Sequence, residues 1–208
     1  MRTHETRTVE LRWFADGSVP EELKRWFKRI RDRPPLSRTD LYLHPSDAEL
    51  NVKLRGDSDV IQVKQRFGST DVHLCETLAG SAEEWYKWSF DLDESPPFPD
   101  VDSTGRWIPV EKSRRKIHLN STRLSEAFPA DPDFEGDAEY ANVSIGERNV
   151  WTFCIEVDGP HVSTESLVEY GSAVIDDAFP CSFEPSQSFG YSRLLERAVS
   201  ANTVAETT

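Results

Sequence analysis

The sequence predicts a single domain of the α+β class, mainly antiparallel β, arranged as a sandwich or a barrel. Three observations carry this. Short runs of β-branched and aromatic residues recur along most of the chain, turn residues separate many of them, and only three segments show helical spacing. A length of 208 residues suits one large domain, and six Trp and eleven Phe supply enough large side chains for a core.

Taken in order, strands are expected at residues 7–14, 39–43, 49–55, 60–67, 85–91, 107–119, 137–145 and 150–158. Gly56-Asp57 separates the third from the fourth. Gly146-Glu147-Arg148-Asn149 joins the last two as a hairpin. A first helix is expected over residues 20–31. There Leu23, Trp26, Phe27 and Ile30 fall on one face, Ser18 is a candidate cap, and Pro34-Pro35 stops the run. Residues 164–178, capped by Ser163 or Thr164, and residues 190–199 read as further helices. Residues 93–106 are rich in Pro, Asp and Ser and read as a surface loop. One domain spans 1–208, with a core from about residue 7 to about residue 196 and a flexible tail at 199–208.

The net charge of −13 argues against a protein that coats duplex DNA or an anionic membrane, because both carry dense negative charge. A small anionic ligand is compatible, since a pocket answers to local charge. Cys75, Cys154 and Cys181 are few, odd in number and widely spaced, as expected of reduced thiols. The opening MRTHETRTVELRWF has no apolar run of signal-peptide length, and no stretch approaches a membrane span. A cytoplasmic protein is therefore expected.

The chemistry lies in the alternation of the strands. Side chains two apart share a face, so Lys53 pairs with Arg55, Lys64 with Arg66, and Lys112 with Arg114, Lys116 and His118. Arg12 and Lys87 add cations from other strands. A single such pair is ordinarily a solvated outer face. Three strands of one sign in an acidic chain are harder to explain that way, because like charges on neighbouring strands repel. A polyanion gripped by guanidinium and ammonium groups would relieve that repulsion. Lys112-Ser113-Arg114-Arg115-Lys116 also resembles a nucleic-acid patch, but it lies within a strand and lacks interleaved aromatic residues.

Carboxylates form the second half of the pattern. Glu10, Glu139 and Glu156 fall on strands, and Glu156 shares a face with Thr152, Cys154 and Asp158. A carboxylate within an aromatic-rich strand is costly unless it is paired or holds a cation. Two roles stay open: ligands for Mg²⁺ beside phosphate oxygens, or ion pairs with the many lysines and arginines.

The order of these motifs resembles the CYTH domain, the triphosphate tunnel metalloenzyme superfamily. The resemblance rests on Thr8-Val9-Glu10-Leu11-Arg12, Asp40-Leu41-Tyr42, Lys53-Leu54-Arg55, Lys64-Gln65-Arg66, Lys112-Ser113-Arg114, Trp151–Glu156 and Ser188–Leu195. It covers nearly the whole chain. It implies a closed eight-stranded antiparallel barrel with flanking helices. It also implies metal-assisted hydrolysis of an inorganic or organic triphosphate, with Mg²⁺ or Mn²⁺ held by Glu10, Glu139 and Glu156 as the catalytic set. Arg12, Lys53, Arg55, Lys64, Arg66, Lys87, Lys112, Arg114 and Lys116 would bind the phosphates. The family also includes adenylate cyclases. The departure is on the first strand: where the family has ExExK, this chain has Thr8, Glu10 and Arg12, so one carboxylate is missing. A tunnel that binds polyphosphate or a nucleotide without turnover is the alternative.

Overall fold

In the computed structural model, the described residues are 3–30, 34–44, 47–56, 58–92, 106–118 and 135–205. Eight strands are formed: β1 (Thr3–Asp16), β2 (Leu36–Leu43), β3 (Leu50–Leu54), β4 (Val60–Cys75), β5 (Leu78–Asp91), β6 (Trp107–His118), β7 (Glu135–Ile145) and β8 (Arg148–Asp158). They close into one barrel in the order β1-β5-β4-β3-β2-β6-β7-β8, all neighbours antiparallel, with β8 returning to β1. The expected closed antiparallel barrel is present.

Among the described residues, three α-helices flank it: α1 (Glu21–Ile30), α2 (Thr164–Val174) and α3 (Tyr191–Ala205). Helix α1 begins and ends with charges that oppose its dipole, Glu21 and Glu22 in the first turn and Lys28 and Arg29 in the last. Helix α2 is capped by Ser163, whose side chain accepts from the Ser166 N–H. It stops at Val174, short of the expected 178. Helix α3 instead runs on to Ala205, past its expected end at 199 and into the segment expected to be a flexible tail. The expected loop at 93–106 lies, except for Arg106, outside the described residues. No helix among the described residues is long and apolar enough to cross a membrane.

Alternation along each strand sorts the side chains between two very different environments. One phase of β1, carrying Val9, Leu11 and Trp13, faces outward under the helices and is fully buried. It packs with Phe153, Ile155 and Val157 of β8, with Leu23, Trp26 and Phe27 of α1, and with Leu167 and Tyr170 of α2. Phe153 is the centre of this layer, ringed by Trp13, Phe27, Phe179 and Phe183 at 4.9–6.3 Å between centroids. The hydrophobic core is thus outside the barrel wall, and the opposite phase, carrying the charges, faces the lumen.

At one end the inward phase turns apolar. Phe14, Tyr42, Val110, Ala141, Val143 and Val150 cluster there with Phe189, Leu194, Leu195 and Ala198. Helix α3 therefore plugs that end, and the lumen is a blind pocket on that side. Gly146, at φ 57°, makes the β7–β8 turn in a left-handed conformation that glycine adopts without strain. At Gly136 a Cβ would lie 2.1 Å from the Tyr170 ring, so the close approach of α2 to β7 requires a bare backbone there.

Removing the centre of the outer core tests where the stability lies. Phe153→Ala is expected to cost about 3–5 kcal/mol, read as a lower urea midpoint at unchanged slope.

Candidate functional site

The lumen encloses a cavity of about 180 Å³. Among the described residues, nine cationic side chains and four carboxylates line it, a local balance opposite in sign to that of the whole chain. Strand alternation delivers them. Glu10 and Arg12 come from β1, Lys53 and Arg55 from β3, Lys64 from β4, Lys87 from β5, Lys112, Arg114 and Lys116 from β6, Glu139 from β7, and Glu156 from β8. Among the residues singled out from sequence, Arg66 is the exception. Its guanidinium donates to Glu83 Oε1 at 2.8 Å and lies 3.9 Å from Glu49, where the register of β4 shifts. It does not line the cavity.

The charges are organised in groups. In the first, Glu10 and Glu156 are direct register partners across β1 and β8. Lys64 Nζ donates to both, at 3.0 Å to Glu156 Oε1 and 3.4 Å to Glu10 Oε2. Arg12 Nε donates to the other oxygen of Glu10 at 2.8 Å. Burial works to raise both carboxyls, but the neighbouring cations win. Arg12 and Lys64 hold Glu10 below its usual range, and Lys64 and Lys87 hold Glu156 well below it. Lys64 is itself held strongly protonated, burial being outweighed by Glu156 and Glu10.

In the second group, Glu139 accepts from Arg114 at 3.0 Å and lies 3.6 Å from Arg12 NH1. In the third, Lys112 Nζ donates to Asp40 at 3.2 Å and to the Tyr42 hydroxyl at 2.6 Å, and sits 3.9 Å from the Tyr191 ring centroid. Burial pushes Lys112 down to about 8 despite Asp40. Lys53 stands beside it, over the Tyr42 ring; among the described residues it makes no contact ion pair, and Asp40 attracts it from a distance. Burial, and then the proximity of Lys112, drive its pKa well below the ordinary lysine value. Towards the other end of the barrel, Lys116 and His118 pair with Asp137, and Lys87 pairs with Asp158. Burial raises Asp137 to about 6 against the pull of Lys116.

Several lining groups are absent from the sequence reading. Arg38 extends the Asp40–Tyr42 alternation and Trp85 extends that of Lys87, so period two carried the signal for them. Tyr191 and Ser192 line the cavity from a helix, where strand alternation gives no signal. Trp85 Nε1, the Tyr191 hydroxyl and the Thr8 hydroxyl are buried without a hydrogen-bond partner. Thr8 is on the Glu10 face of β1, with Trp85 and Asp158 as its register neighbours.

Whether these residues suit a divalent ion can be judged from the donor set. Among the described residues, no three Asp, Glu, His or Cys side chains converge on a point where a metal could sit. Both oxygens of Glu10 are engaged by cations, Glu139 faces Arg114 and Arg12, and an ammonium lies between Glu10 and Glu156. Of the two roles left open for Glu156, the ion pair with a lumen lysine is the one present. Bare oxygen ligands for Mg²⁺ or Mn²⁺ are not assembled. Comparison with protein-family models and with curated proteins finds no match to this chain.

Lys53 is half-buried, is disfavoured as a cation by burial and by Lys112, and has only a distant carboxylate, Asp40, to offset this; an apolar side chain of similar volume removes that cost. Lys53→Met is therefore expected to raise Tm, at roughly 2–4 °C per kcal/mol gained for a chain of this size. Differential scanning calorimetry reads this directly; an unchanged or lower Tm would show that Lys53 is better accommodated than its surroundings indicate.

Proposed function

We propose that the barrel captures a linear polyanion, a triphosphate or polyphosphate group, within its lumen, as a divergent relative of the triphosphate tunnels that the motif order resembles. The observation that carries this is the excess of lumen cations over carboxylates, within a chain of net charge −13. Like-charged ammonium and guanidinium groups are costly to hold together in a low-dielectric pocket, and phosphate oxygens offset that repulsion through charge-assisted hydrogen bonds. The unpartnered Trp85, Tyr191 and Thr8 donors add neutral groups that a ligand could satisfy. The cavity is of a size for the phosphate chain, and α3 closes one end of it.

Mg²⁺- or Mn²⁺-assisted hydrolysis would need Glu10, Glu139 and Glu156 freed from the cations they now bind. A phosphate-release screen over inorganic, nucleoside and thiamine triphosphates, with and without either metal, separates capture from turnover. Release well above background would replace this reading with that of a hydrolase.

Two quantitative expectations follow from the lumen. Arg114→Ala weakens tripolyphosphate binding by about 1.5–3 kcal/mol, the scale of a hydrogen bond to a charged group. Arg115→Ala, out of phase and facing the α1 side with Tyr140, leaves it nearly unchanged. Equal effects from both, in calorimetric titration, would refute the assignment of the lumen.

The second concerns pH. Free Lys112 titrates at about 8 and a bound anion raises that value. Below pH 8 the lysine is already charged and affinity is full. Above it, binding must take up a proton, so affinity falls as pH rises past 8. Proton uptake is read by titrating in buffers of different ionisation enthalpy.

A further inference from the structure

We infer that Lys64 is the barrel's resident cation, occupying the place between Glu10 and Glu156 that a divalent ion would take, so that the polyanion is bound without metal. This rests on the polyanion reading above. Glu10 and Glu156 lie directly opposite one another on adjacent strands, and both face the lumen. Two like charges so placed destabilise the pair unless a cation stands between them.

Lys64, from β4 across the lumen, supplies that cation at 3.0 and 3.4 Å. An ammonium carries three N–H donors. Two are spent on the carboxylates, and the third remains for a phosphate oxygen. One side chain thus bridges two carboxylates to the ligand, the geometric task that Mg²⁺ performs in phosphate sites. The charge is also balanced locally. Arg12 takes the second oxygen of Glu10, so two carboxylates already face two cations before any ligand arrives. A dication entering this group would have to expel the ammonium against the surplus positive charge of the lumen.

The experiment is calorimetric, with tripolyphosphate as the probe and MgCl₂ alone as a second titrant. Wild-type protein is expected to bind tripolyphosphate in EDTA within about threefold of its affinity in Mg²⁺, and to show no saturable heat with Mg²⁺ alone in the micromolar range. Lys64→Met removes the cation that bridges the two carboxylates and leaves Glu156 without a contact partner. It is expected to lose about 10- to 100-fold in tripolyphosphate affinity in EDTA, and to recover part of that loss in Mg²⁺, which it binds by itself. Circular dichroism melts verify that the variant is folded; if it is not, Lys64→Gln replaces it, and the wild-type arms decide the question on their own.

Tripolyphosphate binding by wild type that requires Mg²⁺ overturns the resident-cation inference and leaves the polyanion reading standing. Absence of tripolyphosphate binding with and without Mg²⁺ overturns both. Micromolar Mg²⁺ binding by wild type, or a folded Lys64→Met with undiminished affinity in EDTA, also overturns the inference.

Discussion

The constraint on which the rest of the molecule depends is that charge lies inside this barrel and the apolar core lies outside it. A strand offers two faces and no more. Once Val9, Leu11 and Trp13 are committed to the helices, Thr8, Glu10 and Arg12 must face the lumen. The same choice is made on β8, where Phe153 and Ile155 face the core and Glu156 faces inward. A lumen built this way cannot be stabilised by apolar packing across its width. It is held open and in shape by ion pairs, and closed at one end where the inward phase becomes apolar against α3. The helices therefore do more than decorate the wall: α1 and α2 complete the core that the lumen forgoes, and α3 limits its depth.

Ion pairs inside a closed barrel are not equivalent to those on a surface. Arg12 and Lys112 are each 6% exposed and Asp40 is fully buried, so solvent screens them little. Desolvation opposes every one of these charges, and the partner decides the outcome. Glu10, Glu139 and Glu156, each beside two or more cations, stay ionised. Lys53 and Lys112 are pushed towards neutrality by burial, which the pull of Asp40 does not outweigh. The lumen is thus polarised, with a carboxylate-rich zone around Lys64 and a cation-rich zone around Lys53 and Lys112. An anion gains most in the second zone, where it relieves repulsion, and meets carboxylates in the first only through the lysine they share.

The barrel wall was legible in the sequence because alternation is a local property. The runs at 49–55 and 107–119 announce their faces without reference to any neighbour. The long β4–β5 hairpin was only half legible, since Gly68, Ser69, Thr70 and Asp71 carry no apolar alternation and yet pair with β5 opposite Ser81–Glu84. Their strand conformation is imposed by that partner and not by propensity. The fate of the carboxylates was not legible at all. Whether Glu156 holds a metal or an ammonium depends on which strand crosses the lumen from it, and that is fixed by the closure of the barrel and the register of β4. Arg66 shows the same limit. Its phase is that of Lys64, but a register shift one residue later sets it against Glu83.

The first-strand departure and the lumen lysine belong to one charge balance. With threonine at position 8, the inward face of β1 contributes one carboxylate and one guanidinium, and these neutralise each other through the Arg12–Glu10 contact. Glu156 then remains as the carboxylate that Lys64 must satisfy, and one ammonium suffices for it. A glutamate at position 8 would stand between Trp85 and Asp158 and beside Glu156's strand, adding a negative charge that a monovalent cation could not match. Two positive charges at one point would then be favoured, which is what a divalent ion provides. Threonine at position 8 keeps the local demand for positive charge at what Arg12 and Lys64 already supply.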